Sequence, residues 1–188
     1  MGWAEVMGEK SSEKIPYTKF ETGSTMIRVL DNEPYSYWSH WLNKQQTSVA
    51  CLKKDCPICG VIAQMKANKE TPIYTSSQRH AVRIWNYTTN QMEIMIQGKN
   101  FFSQLLTLHK EIGDITTYDI KVVRKGQGTD TTYTLLPSAP KEFDTSDKTI
   151  VDVNMVEQFS PPTREEMLLL MEGLTWAEIN GNEETVEQ

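Results

Sequence analysis

All three cysteines of the chain lie within nine positions, Cys51 to Cys59, and His40 stands eleven residues ahead of the first. Nothing else in the sequence constrains the fold so tightly. An odd number of thiols cannot close into disulfides without a remainder, and clustered cysteines in a reducing compartment serve more often as metal ligands or catalytic groups. Cys56-Pro-Ile-Cys59-Gly60 has the form of a knuckle, in which two thiolates grip one ion and a glycine lets the chain turn behind them. Tetrahedral zinc needs two further ligands. Cys51 supplies the third, and the fourth is sought among His40, His80 and His109. His40 is nearest and lies in an unpatterned loop, whereas His80 falls in a strand and His109 on a helix, so His40 is taken and His80 is next. His40, Cys51, Cys56 and Cys59 together have the chemistry of one closed, structural Zn2+ site. A catalytic zinc keeps an open position and an acid nearby, and this segment offers Asp55 alone. A redox CxxC would follow a strand and open a helix in a βαβ unit, a pattern the sequence lacks.

A chain of 188 residues, 38% of them apolar, suits one domain with an extension or a small insertion. No run approaches the roughly 18–20 apolar residues of a membrane span. The opening "MGWAEVMGEKSSEK" has no apolar core of a signal peptide, which leads to the expectation of a cytoplasmic protein without membrane partners. The net charge of −6 is unevenly placed: residues 162–188 hold one arginine against seven glutamates, so the rest of the chain is balanced.

Residues 1–22 are polar and mixed in charge and read as a flexible arm. "STMIRVLD" (24–31) reads as a strand, followed by the aromatic "NEPYSYWSHW" and then the cysteine segment. "GVIAQMKANKE" (60–70) has helical composition and ends before Pro72. "RHAVRIWNY" (79–87) and "QMEIMIQ" (91–97) have the period of two of a β-hairpin. "NFFSQLLTLHKEIGD" (100–114) has helical spacing, with Asn100 as N-cap and Gly113 just past the end. "TTYDIKVVR" and "TTYTLLP" read as two more strands around "KGQGTD". After an irregular stretch, 138–160, Thr163 and Glu166 have capping-box spacing before a helix whose Met167, Leu170, Met171 and Leu174 share a face. The order predicts a mainly β fold: a five-stranded OB-fold barrel over 23–140, a zinc-binding insertion at about 34–77 between strands 1 and 2, and a C-terminal linker, helix and acidic tail over 141–188. A mixed α+β sheet is the competing fold.

One histidine followed by three cysteines, inserted between the first two strands of such a barrel, resembles the single-stranded DNA-binding proteins of T-even-type bacteriophages. "YDIKVVRKGQGTDTTYTLLP" (118–137) is similar to that family's strand, Gly-loop, strand unit, and the resemblance spans about residues 20–140. It implies a structural zinc and a core that binds single-stranded DNA with little sequence preference, in DNA replication, recombination and repair. The choice of DNA over RNA rests on the resemblance alone. The family's N-terminal arm is basic; here Lys10, Lys14 and Lys19 face Glu5, Glu9, Glu13 and Glu21.

Non-specific binding of single strands needs cations for phosphates and flat side chains for bases. In "RHAVRIWNY", Val82 and Ile84 fall on one face and Arg79, Arg83, Trp85 and Tyr87 on the other, where an OB-fold places its ligand. Cross-strand packing is the plainer explanation of such a face. One or two of Tyr35, Tyr37, Trp38 and Trp41 in the aromatic stretch are expected to be exposed as stacking platforms, Tyr37 and Trp38 being named as candidates, and Lys53, Lys54, Lys66, Lys69, Arg124 and Lys125 could line a groove. There is no phosphate-binding glycine loop and no carboxylate pair at strand ends, so the chain is read as a binding protein, not an enzyme. The alternative is a zinc-bearing protein–protein adaptor in replication or transcription. The acidic tail is expected to compete with DNA for the basic groove and, when displaced, to recruit replication or repair proteins.

Overall fold

The structure, a computed structural model, describes residues 15–181. Its strands are β1 (Gly23–Val29), β2 (Tyr35–Leu42), β3 (Thr47–Ala50), β4 (Thr75–Asn86), β5 (Gln91–Gly98), β6 (Asp119–Lys125) and β7 (Thr132–Pro137). Its helices are α1 (Pro57–Ala67), α2 (Lys99–Ile112), α3 (Met155–Gln158), α4 (Arg164–Glu172) and α5 (Trp176–Ile179). The fold is mainly β: all seven strands join in one antiparallel sheet, in the order β3-β2-β4-β1-β6-β7 with β5 also on β4. The expected barrel is not closed. β5 and β7, whose pairing would complete it, share no ladder among the described residues.

The long strand β4 organises the molecule. Residues 79–86 pair with β5 along one edge; the other edge carries β2 opposite residues 75–81 and then β1 opposite residues 84–86. One strand therefore belongs to two hydrophobic clusters. Side chains alternate along it, and Val82 and Ile84 enter a core built with Ile27, Met95, Phe101, Leu105 and Ile120. A second core lies under β2 and β3, where Leu42, Val49 and Ile58 meet Met167 and Leu170 of α4.

Several expectations change at this level. The aromatic stretch before the cysteines is a strand, β2, in register with both β3 and β4. His40 is therefore on a strand, not in a loop. Residues 15–22 are not a free arm. The amide of Thr18 donates to Ile94 O at 2.9 Å and that of Ile94 to Pro16 O at 2.9 Å, while Phe20 is buried against Phe101 and Tyr133. Residues 1–14 lie outside the described residues. Helix α2 begins two residues earlier than the expected cap implies, at Lys99, and its N-cap is Gly98 because β5 runs directly into it, which moves Asn100 inside the first turn. The capping box of Thr163 and Glu166 forms as expected, and Gly173 ends α4 in the left-handed conformation. That helix is packed against the cysteine lobe, while Glu183, Glu184 and Glu187 of the expected acidic tail lie outside the described residues. Among the described residues no helix is long and apolar enough to cross a membrane.

Candidate metal centre and adjoining groove

His40 comes from β2, Cys51 from the end of β3, and Cys56 and Cys59 from the first turn of α1. The loop between Cys51 and Cys56 turns sharply, with Lys53 and Asp55 at positive φ, and Pro57 opens the helix without needing an amide partner. These constraints bring the four ligand atoms within 4.8 Å of one another. His40 Nε2 is 3.5 Å from both Cys56 Sγ and Cys59 Sγ, and Cys51 Sγ is 3.6 Å from Cys59 Sγ. Zn–S bonds of about 2.3 Å and Zn–N bonds of about 2.0–2.1 Å place ligands roughly 3.5–3.8 Å apart on a tetrahedron. The cluster has the size such an ion requires.

The surroundings prepare the same set. His40 is fully buried, and burial lowers its pKa, so the ring is neutral. Its Nδ1 donates to Thr75 O at 3.3 Å, which leaves Nε2 with its lone pair toward the sulfurs. The Lys53 amide donates to Cys51 Sγ at 3.3 Å. Desolvation pushes up the thiols of Cys51 and Cys59, the latter to about 12, as crowded sulfurs away from water resist becoming anions. A divalent cation reverses that preference and deprotonates them outright. His80 is no ligand: it hydrogen-bonds Ser36 Oγ at 2.7 Å and packs on Phe102. His109 is exposed on α2.

The face assigned to single strands on β4 divides in two. Arg79, Arg83, Trp85 and Tyr87 do share one side of the sheet, but residues 141–160 lie across its C-terminal half. Trp85 is 3% exposed, with Phe143 at 6.4 Å and the Lys148 ammonium 5.4 Å from its ring. Arg83 is held by Asp31 at 2.7 Å and Asp152 at 3.1 Å. The Tyr87 hydroxyl donates to Asp119 at 2.9 Å, and burial and that contact push its pKa up to about 12. None of the three offers a platform to a base. Ala81, Ile94 and Ile96 form an apolar surface that Val153 and Phe159 of the linker cover, and Phe143 of the same segment packs beside Trp85.

The N-terminal half remains open. An aromatic groove of about 750 Å³ runs between β2–β3 and the chain around α3 and α5, lined by Tyr37, Trp41, Arg79, Phe159 and Trp176. Phe159 stacks on Tyr37 at 4.7 Å and 20°. Arg79 stands directly across from Tyr37 in the ladder and makes no ion pair among the described residues. Trp41 and Trp176 are 39% and 37% exposed. Sequence reading missed Phe159 and Trp176 here; the signal available for the latter was a second capping box, Thr175 with Glu178, announcing a short helix. Trp38 is exposed on the opposite, metal-facing side of β2. Lys66 and Lys69 stand exposed at the end of α1, away from the groove, and Arg124 lines a separate hollow with Lys19 and Tyr133 beside exposed Lys125. No protein-family model, curated protein or solved structure matches the chain.

Proposed function

We propose that this chain binds single-stranded DNA without sequence preference, along the groove between Tyr37, Arg79, Trp41 and Trp176, on a scaffold fixed by one structural zinc ion at His40, Cys51, Cys56 and Cys59. The observation that carries the reading is Arg79: a half-buried cation that makes no ion pair among the described residues, set among aromatic rings in an open groove that Glu166 also lines. Phosphate and base would satisfy that combination together. The pairing of β1 with β4 and β6, of β4 with β5 and of β6 with β7 supports an open OB-type core, with the metal lobe as an insertion after its first strand. On the family resemblance, such binding protects single strands during phage DNA replication, recombination and repair.

The test is fluorescence anisotropy of a labelled oligothymidylate and of a duplex of equal length, at two salt concentrations. The single strand should bind more tightly. Trp41→Ala should cost roughly 1–3 kcal/mol if a base stacks there, and Arg79→Ala should lower the salt slope by about one. Equal affinity for both forms would overturn the reading and leave the protein–protein adaptor in its place.

A further inference from the structure

Between the metal lobe and the sheet, on the side opposite the groove, lies a second open hollow of about 600 Å³. Trp38, 47% exposed, forms one wall. Gln78 stands directly across from it in the β2–β4 ladder, with the hydroxyls of Ser36 and Ser76 alongside. Lys53, from the sharp turn after Cys51, lines it together with Cys51 and Cys59. No carboxylate lines the hollow among the described residues. A large aromatic plane, a primary amide, two hydroxyls and one cation are the complement of a flat hydrogen-bonding ring joined to an anion.

Tyr37 lines both the hollow and the groove. The last ladder pair of β3 is Ala50 with Ser39, and the Cys51 amide bonds Trp38 O at 2.8 Å. Beyond that bond this edge of β2 has no partner strand among the described residues, so a nucleic-acid backbone can cross from one face to the other past Ser36 and Tyr37.

We infer that this hollow is a second nucleotide subsite, in which one base stacks on Trp38 with its edge toward Gln78 while Lys53 takes a phosphate. The inference rests on the single-strand reading above and extends it from one face of β2 to both. It also places a bound base against two of the metal ligands, so the metal should report its arrival.

The experiment uses the full chain loaded with Co2+ in place of zinc, titrated with oligothymidylate. Binding should shift the thiolate–cobalt absorption bands, because Cys51 and Cys59 line the subsite, whereas occupancy of the groove alone would leave them unchanged. Trp38→Ala should weaken binding by about 5- to 150-fold, and Trp38→Phe should recover most of that loss. Lys53→Gln, whose backbone amide still serves Cys51, should flatten the salt dependence by about one phosphate contact. If Trp38→Ala loses its metal, Gln78→Ala and Lys53→Gln carry the test in its stead. Single-strand binding by the native chain with unmoved cobalt bands, and with variants that match it, overturns the subsite while leaving the groove standing. No binding by the native chain at all overturns the groove reading, and the subsite falls with it.

Discussion

Arg28 and Asp119 are 91 positions apart, both almost wholly buried, with Nε 2.7 Å from Oδ1. Asp119 also accepts from the Tyr87 hydroxyl and pairs with Lys141. Burial by itself would raise the carboxyl pKa, but the contacts from Lys141, Arg28 and Tyr87 outweigh it and hold the group below the usual carboxylate range. A depressed folded pKa contributes stability above the unfolded value of about 3.9, and that contribution is lost as pH falls through the folded one. Asp119→Asn should therefore cost about 3–5 kcal/mol in urea denaturation at pH 7, since it strands a buried guanidinium. The gap between variant and native protein should narrow as the pH is taken from 5 down to 2; a gap of constant size would refute this account of the pair. The sequence gives no hint of the network, because Arg28 and Asp119 meet through the β1–β6 ladder while Tyr87 and Lys141 reach them from the end of β4 and from the linker. Tyr87 read as a stacking platform for the same reason: alternation assigns a face but cannot say what lies over it. His40 and the three cysteines were legible because ligand chemistry and spacing survive ignorance of the fold, and the strand that carries His40 was not.

The elements that read correctly are those whose signals are local. The hairpin of β4 and β5 shows in period two, and α4 in a capping box followed by an apolar stripe. β2 stayed hidden because its buried positions hold Ser39, His40 and Leu42 while its partly open ones hold tyrosine and tryptophan, which reverses the usual contrast. The docking of α4 was equally illegible, although its two buried residues were identified, because the surface they cover is contributed by Leu42, Val49, Cys51, Cys56 and Ile58. That packing ties the helix to the cysteine cluster. Protein purified without chelator should contain about one zinc per chain, and His40→Ala should lose it. Chelation removes folding energy from the lobe, so it should lower Tm and hasten tryptic cleavage after Arg164, whose side chain bonds Asp55 O at 3.3 Å beside the site. Leu170→Ala should cost about 2–5 kcal/mol and speed zinc loss. An unaltered cleavage rate at Arg164 after complete zinc removal would uncouple the two.

At the scale of the molecule, β4 joins two cores that residues 141–172 then bind from outside, one half of that segment on the sheet and the other on the metal lobe. The cover over Trp85 makes a sharp distinction between two tryptophans of similar sequence setting. Trp85→Ala should destabilise the fold by about 3–5 kcal/mol and leave the single-strand affinity of the folded fraction unchanged, whereas Trp41→Ala should do the reverse. Loss of affinity in Trp85→Ala at full folding would mean that the linker opens when DNA binds. The arrangement also sets an order of events during synthesis. All four ligands have been translated by Cys59, but Thr75, which orients His40, and β4, which holds β2 in place, come later. Met167 and Leu170 follow more than a hundred residues after the last cysteine, roughly 5–20 s at the usual pace of translation. During that interval the nascent chain carries three thiols and their histidine without the helix that will wall them in, so an ion taken up then would enter an unfinished lobe that α4 closes afterwards.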